Sequence, residues 1–215
     1  RRMGIGITGL ANTVEVLGAP YGSEQSKEIT RHILTILRDT AYLSSVELAK
    51  EKGAFPLFDA EKYLQSDFAK TLPEPIRASI RAHGIRNSHL LSIAPTGTIS
   101  LACDNISSGI EPVFAHSSDR VIRMGDGQQK TVRVDDYGYR EWGVKGRSAG
   151  DITTREHVDM LTLASHYVDS SVSKTCNVGA DVSFEDFKDV YMQAYDGGAS
   201  GCTTFRINGK RFGIL

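Results

Sequence analysis

Residues 92–100 read Ser-Ile-Ala-Pro-Thr-Gly-Thr-Ile-Ser, and they directly follow the apolar residues Leu90 and Leu91. A short apolar run of this kind is typical of a buried strand. Because Pro95 cannot continue a hydrogen-bonded ladder, the chain is predicted to turn there. The pattern therefore predicts a strand that runs into a loop of small hydroxyl-bearing residues and glycine.

The loop after this strand carries groups that suit a bound anion. Its residues are Thr96, Gly97, Thr98, Ile99 and Ser100. The glycine has no Cβ to keep a ligand from the backbone, and converging N–H groups, often at the start of a helix, attract anions. We therefore predict a phosphate-binding loop. Thr-Gly-Thr is also an ordinary polar turn, and the G-K-[ST] ending of a Walker A loop is missing.

Composition limits the classes of partner. The chain has 215 residues, of which 40% are hydrophobic and 24% charged, with a formal net charge of -1. It has neither a block of like charges nor an apolar run near the ~18 residues of a membrane span. The start, Arg1–Gly6, lacks a secretory signal and suggests a fragment of a longer chain. We expect a soluble, cytoplasmic protein with no nucleic-acid partner and no membrane partner.

Cysteine and histidine spacing argues against a metal site. The three cysteines form no C-x-x-C pair, and the six histidines show neither H-x-x-x-H nor H-E-x-x-H spacing. We interpret each cysteine as a reduced, buried structural thiol and the histidines as structural or exposed. The prediction is therefore no protein-ligated metal. The cysteines are Cys103, Cys176 and Cys202.

Helix and strand signals alternate along the chain. Helices are predicted from Glu24 to Gly53, near 73–83, from Thr153 to about 168, and from Ser183 to Gly197. Strands are predicted at 172–178 and 202–205, and a hairpin around Gly125-Asp126-Gly127. One glycine-broken segment is expected over 4–17. This order predicts an α/β fold in one continuous domain, residues 1–215.

Several strings resemble landmarks of one enzyme family. Read with R-N-S before it and S-G-I-E-P after it, the loop resembles the substrate-phosphate loop of ribonucleotide reductase large subunits, in particular the adenosylcobalamin-dependent class II enzymes. Five further strings occur in the order found in that subunit. They are Arg1–Ala11, Leu17–Gly22, Glu51–Pro56, Ser173–Asn177 and Gly201–Arg206. The resemblance implies the later half of the family's ten-stranded α/β barrel, here with a β-hairpin insertion.

The resemblance also implies a function for the complete enzyme. Class II relatives convert ribonucleotides to deoxyribonucleotides by radical chemistry, with adenosylcobalamin as cofactor and a thioredoxin-like dithiol as reductant. Their radical cysteine lies in an N-x-C-x-E type of motif, which this sequence lacks. We therefore expect no catalytic residue in this chain, dependence on the N-terminal remainder of the barrel, and no activity of the isolated chain. A non-catalytic nucleotide-binding or interaction module that keeps the barrel scaffold is the alternative.

The radical source is a separate expectation from the resemblance. In class I relatives, the strand that aligns with 201–206 carries two adjacent tyrosines that pass the radical from a separate metal-bearing subunit. Here the matching residues are Thr203 and Thr204. Because threonine has no stable oxidised form comparable to a tyrosyl radical, the resemblance implies that the radical is generated inside the barrel, from adenosylcobalamin.

Overall fold

The computed structural model describes residues 1–179 and 182–206. Helices and strands alternate within these ranges. The strands are β1 (Arg2–Ile5), β2 (His89–Leu91), β3 (Ser117–Arg123), β4 (Gln129–Asp135), β5 (Thr175–Val178) and β6 (Thr203–Arg206). The helices are α1 (Leu10–Val16), α2 (Glu24–Lys52), α3 (Ala60–Leu64), α4 (Asp67–Lys70), α5 (Glu74–His83), α6 (Gly97–Ala102), α7 (Tyr137–Trp142), α8 (Thr154–Ser165) and α9 (Phe184–Asp196). The predicted α/β class is confirmed.

Four parallel segments form the central framework. β1 pairs with β2, and β5 pairs with β6, in both cases parallel. A parallel bridge between Ile93 and Val172 joins the two pairs, because these residues lie just after β2 and just before β5. The Ile93 and Leu91 side chains are buried at 2% and 0% exposure, so this framework runs through the core. The loop after Ile93 therefore begins at a fixed position in the sheet.

The described residues do not close a barrel. A closed barrel requires its first and last strands to pair with each other. Among the described strands, β1 pairs only with β2, and β6 pairs only with β5. The later half of a ten-stranded barrel, expected from the sequence, is therefore seen only as an open set of parallel segments with helices packed against it.

The helix α2 is the main support of this framework. It begins after the N-cap Ser23, whose hydroxyl accepts the Ser26 N–H, and ends at Gly53 with φ 76°. Both ends were predicted from the sequence. Its buried face includes Leu34, Tyr42 and Val46, whereas Leu48 near its end is 38% exposed.

The other predicted elements are confirmed with small shifts. The helix α8 starts with the predicted capping box of Thr153 and Glu156, but it ends at Ser165, about one turn early. The hairpin of β3 and β4 is antiparallel and turns at 124–128. The segment 4–17, expected as one glycine-broken unit, is instead the end of strand β1, a loop and the helix α1. No described helix is long and apolar enough to cross a membrane.

Candidate functional site

A carboxylate from a distant loop holds the strand that leads into the candidate site. Asp169 accepts the N–H groups of Leu90 and Leu91, at 2.7 and 2.9 Å. It also accepts the Tyr42 hydroxyl of α2 at 2.7 Å. The buried Asn87 fixes the start of the strand, because its N–H donates to the Ser45 hydroxyl at 3.1 Å. These hydrogen bonds connect α2, β2 and the loop that carries Asp169, so the position of the chain is fixed before residue 92.

The turn at Thr96 has a constrained backbone. Thr96 has φ 52°, a left-handed conformation that is rare for a β-branched residue. Two more non-glycine residues with positive φ, Asp104 and Asn105, follow the short helix α6. Such residues persist only where surrounding contacts enforce them, and they cluster at binding loops. The backbone is therefore constrained on both sides of α6.

Hydroxyl groups inside the loop supply those contacts. The Thr96 Oγ1 lies 2.9 Å from the Thr8 Oγ1 and accepts the Gly109 N–H at 2.7 Å. Ser100 is buried, and its hydroxyl donates to the Gly97 carbonyl at 2.8 Å and lies 2.9 Å from the Ser108 hydroxyl. The side chains of two of the five predicted site residues therefore hold the loop in shape.

The remaining three residues present open backbone donors. Gly97, Thr98 and Ile99 are exposed, and their N–H groups have no acceptor within residues 1–179 and 182–206. The first N–H groups of a helix lack intrahelical partners because no preceding turn supplies a carbonyl. No atom lies within 4 Å of the place that a Cβ on Gly97 would occupy. The loop thus has an open face on which a ligand can approach the backbone.

An ion pair between a buried lysine and a partly exposed glutamate adjoins this loop, and the sequence did not predict it. The Lys174 side chain has 0% exposure, and its Nζ lies 2.7 Å from the Glu111 Oε2. Glu111 also accepts the Thr175 N–H through Oε1, at 2.5 Å. These contacts tie the start of β5 to the S-G-I-E-P segment, whose Gly109 bonds to Thr96. The sequence places Glu111 and Lys174 63 residues apart, so spacing alone gives no signal of the pair.

A neutral histidine completes the ion-pair cluster. His157 is fully buried, and its Nδ1 accepts from Lys174 Nζ at 2.8 Å, so the ring is neutral at Nδ1. Burial, and next the Lys174 charge, lower the pKa of His157 from 6.5 to about 3. Of the two alternatives predicted for the histidines, structural or exposed, the buried position of His157 excludes the second.

The low pKa of His157 predicts a pH-dependent stability. Between pH 6.5 and about 3 the unfolded chain binds a proton at this ring and the folded chain does not, so the free energy of unfolding falls as pH drops. The largest slope for one proton is about 1.4 kcal/mol per pH unit. We expect His157→Gln to flatten the slope of urea-derived stability between pH 6.5 and 5, whereas a variant of the exposed His32 should keep it.

The range from pH 6.5 to 5 avoids a second contribution to the pH dependence of stability, which comes from Glu156 at lower pH. The Arg147 guanidinium holds the pKa of the Glu156 carboxyl at about 2, well below its usual 4.5. Glu156 therefore lends stability above pH 4.5 that is lost as pH falls toward 2. An unchanged slope in His157→Gln between pH 6.5 and 5 would contradict the assignment of a neutral buried ring.

The cysteines differ in their environments. Cys176 on β5 is fully buried, as predicted, and all three thiols are free. Cys103 is exposed, so the expectation of a buried thiol is wrong there, because it follows α6 at the outer end of the loop. Cys202 is half-buried, and its Sγ lies 3.7 Å from that of Cys176. The spacing of the cysteines in the sequence did not predict this contact, because it depends on the pairing of β5 with β6.

Metal ligands do not converge in the described part of the chain. Residues 1–179 and 182–206 contain no group of three or more His, Cys, Asp or Glu side chains that could hold a metal ion.

The strand β6 is contacted by a tyrosine that the sequence did not indicate. The Tyr191 hydroxyl of α9 lies 3.0 Å from the Thr204 Oγ1.

Comparison with known proteins identifies one family over nearly the whole chain. The family model of the ribonucleotide reductase barrel domain matches residues 1–205. The vitamin B12-dependent ribonucleoside-diphosphate reductase of Mycobacterium tuberculosis is 29% identical over 242 residues, covering 100% of this chain and 32% of the relative. The enzyme of the same name from Thermoplasma acidophilum is 29% identical over 241 residues, covering 100% of this chain and 29% of the relative.

A subunit without the vitamin B12 description also matches, over less of the chain. The ribonucleoside-diphosphate reductase subunit alpha of Chlamydia pneumoniae is 30% identical over 138 residues, covering 54% of this chain and 13% of the relative. The chain thus spans about a third or less of the length of these relatives. Since the barrel-domain model matches nearly the whole of it, the chain belongs to the ribonucleotide reductase barrel-domain family.

Proposed function

We propose that this chain is part of a vitamin B12-dependent ribonucleotide reductase that converts ribonucleotides to deoxyribonucleotides by radical chemistry. The observation that carries this proposal is the coverage of the whole chain by relatives named vitamin B12-dependent reductases. In the proposal, residues 1–215 form one domain, the C-terminal portion of the catalytic barrel of a longer enzyme. The radical cysteine, the redox-active cysteines and the ribose-contacting groups lie outside this portion, and this chain contributes no catalytic residue.

The role of this portion in the proposal is to hold the substrate phosphates. Thr96, Gly97, Thr98, Ile99 and Ser100 form the phosphate loop. The Thr96 and Ser100 hydroxyls fix its shape through Gly109 and Gly97, and the three exposed N–H groups of 97–99 donate to phosphate oxygens. Hydrogen bonds from N–H groups to a charged acceptor are stronger than those to a neutral one. Binding through the backbone accounts for the presence of small residues in this loop.

We propose that the N-terminal remainder of the barrel pairs with the unpaired edge of strand β1. Strand β1 has one unpaired edge among the described strands, and beside it lies an apolar groove lined by Met3, Ile36 and Leu48, which are 47%, 53% and 38% exposed. Parallel sheets are covered on both faces in folded proteins, and an exposed edge strand can pair with another strand. In the complete enzyme, the N-terminal part of the barrel pairs with β1 and covers this groove. The hairpin of β3 and β4 is an insertion in that barrel.

The cofactor and reductant follow from the same proposal. When bound, adenosylcobalamin would supply the initiating radical, and a thioredoxin-like dithiol would return the reducing equivalents. Thr203 and Thr204 agree with an internal radical source, since neither side chain forms a stable radical. No residue of this chain is assigned to the corrin.

The experiment is a turnover assay with matched radical sources. The complete enzyme should reduce a ribonucleoside diphosphate with adenosylcobalamin and a dithiol, and should not do so with a class I metal subunit and oxygen. The isolated 215-residue chain should show no turnover with either source. Tyr191→Phe removes the hydroxyl beside Thr204 and should leave the cobalamin-dependent rate unchanged, within about twofold.

Three results would count against this proposal. Activity of the complete enzyme only with the metal subunit would contradict the class II assignment. A complete enzyme that binds nucleotides and turns over with neither source would support the non-catalytic module. Turnover by the isolated chain would show that catalytic groups lie within these 215 residues.

A further inference from the structure

Two thiols meet across the last pair of parallel strands. Cys176 lies on β5, and Cys202 directly precedes β6, which pairs with β5 in parallel. Their Sγ atoms are 3.7 Å apart, although the residues are 26 positions apart in sequence. A disulfide requires an S–S distance of about 2.05 Å, so closing the bond needs an approach of roughly 1.7 Å. Rotations about the Cα–Cβ bonds can supply a movement of that size.

The two thiols are accessible to different degrees. Cys176 is 0% exposed, whereas Cys202 is half-buried and reaches the surface. A dissolved oxidant can therefore reach the Cys202 sulfur first, and the buried Cys176 is placed to react with it afterwards. This division resembles the attacking and resolving roles in a two-step thiol–disulfide exchange.

A buried cation lies close to the pair. Lys174 lies two residues before Cys176, directly before β5. Its ammonium is fully buried. The hydrogen bond with Cys176 lowers the pKa of the Cys202 thiol, and the Lys174 charge acts in the same direction. The hydrogen bond with Cys202, followed by burial, raises the pKa of Cys176. The more accessible sulfur is thus also the one that ionises more readily.

We propose that Cys176 and Cys202 form a redox-active dithiol that a low-molecular-weight disulfide oxidises to an intramolecular disulfide. In the first step the Cys202 thiolate attacks one sulfur of the small disulfide, its S–S bond breaks, and one small thiolate leaves. In the second step Cys176 loses its proton to solvent, and its thiolate attacks the Cys202 Sγ and releases the second small thiolate. The protein loses two electrons and two protons, and the small disulfide is reduced to two thiols.

The disulfide would fasten β5 to β6 and enclose α9 in a covalent loop. It would also hold the start of β5, where Glu111 binds Lys174 and the Thr175 N–H. The modification site is therefore adjacent to the buried ion pair. It is independent of the proposed reductase activity, because thiol exchange requires neither a nucleotide nor a cofactor.

The test is a titration of the full 215-residue chain with glutathione disulfide. The background carries Cys103→Ser, because that exposed thiol would otherwise form adducts. We expect an intact mass lower by two hydrogens, loss of both remaining thiols in a thiol count, and a peptide that links Cys176 to Cys202. A reduced dithiol such as dithiothreitol should restore both thiols.

Single variants separate the two roles. Cys176→Ser should accumulate a stable glutathione adduct on Cys202, because no second thiol can displace it. Cys202→Ser should leave Cys176 unmodified, with an adduct rate at least about tenfold lower, because that sulfur is buried. Persistence of two free thiols, a glutathione adduct without the intramolecular link in the Cys103→Ser background, or faster modification of Cys176 than of Cys202 would overturn the proposal. These readouts do not depend on turnover, so they stand or fall separately from the proposed function.

Discussion

Replacing Gly97 with valine is expected to weaken nucleoside diphosphate binding by the complete enzyme about 100-fold, with little change in stability. The valine side chain would occupy the open face over the N–H groups of 97–99. A hydrogen bond to a charged group contributes about 1.5–3 kcal/mol, so losing two of them costs at least about 3 kcal/mol, or roughly 100-fold in Kd. The fold should persist, because a Cβ at Gly97 meets no atom within 4 Å. Isothermal titration with a nucleoside diphosphate measures the change.

A second glycine supplies the matched control. Gly125, in the turn between β3 and β4, also has open space where a Cβ would lie, and its φ is not positive. Gly125→Val should therefore bind the diphosphate like the unchanged enzyme. The unphosphorylated nucleoside serves as the control ligand, since Gly97→Val should alter its affinity little. An unchanged diphosphate affinity in Gly97→Val, or an equal loss in both variants, would refute the phosphate loop.

Local signals in the sequence predicted the helices well. Ser23, Thr153 and Ser183 each accept a backbone N–H from the first turn of the helix that follows, as their positions before amphipathic segments indicated. These signals depend on residues three or four apart, so they can be read without the tertiary structure. The strand β1 was not predicted, because its formation depends on a distant part of the sequence. Its partner β2 lies more than eighty residues away, and three of its four residues are exposed.

The candidate site was also predicted only in part, because some of its contacts are local in sequence and others are not. The composition of the loop predicted open donors near Gly97, and the N–H groups of 97–99 have no acceptor among the described residues. The sequence could not indicate that Thr96 and Ser100 turn their hydroxyls inward, because their partners Thr8 and Ser108 come from other segments. The contact between Cys176 and Cys202 was equally hidden. Pairing of β5 with β6 creates it, and pairing is a property of the assembled sheet.

The ion pair between the buried Lys174 and the partly exposed Glu111 should have the largest effect on stability. Glu111→Ala leaves the Lys174 ammonium buried with only the Thr175 carbonyl and the His157 ring as acceptors, and it leaves the Thr175 N–H without its carboxylate. Removing one partner of a buried ion pair costs about 3–5 kcal/mol, because an uncompensated charge stays in the interior. We expect a loss of that size in the free energy of unfolding, measured by urea denaturation of the chain.

An exposed pair gives the scale for comparison. Glu47 and Lys50 on α2 are 2.7 Å apart, as are Glu111 and Lys174, but their side chains are 65% and 41% exposed. Exposed ion pairs contribute about 0–1 kcal/mol, so Glu47→Ala should cost less than about 1 kcal/mol. The distance between the charges is the same in the two pairs, so a difference between the two variants reflects the burial of Lys174 together with the Thr175 N–H that Glu111 also accepts. Equal losses in the two variants would contradict the structural importance of the Glu111 carboxylate.

A double variant separates the ion pair from a general packing defect. Lys174→Met removes the charge while keeping a long apolar side chain in the same space, so Glu111→Ala combined with Lys174→Met leaves no buried charge uncompensated. Buried ion pairs replaced on both sides by apolar groups are often no less stable than the original pair, whereas half-removed pairs are much less stable. We therefore expect the double variant to be more stable than Glu111→Ala alone. The loss in the free energy of unfolding is measured for Glu111→Ala, for Lys174→Met and for the double variant. If the loss in the double variant equals the sum of the two single losses, the cost arises from lost packing around β5, and the interaction of Lys174 with Glu111 does not explain it.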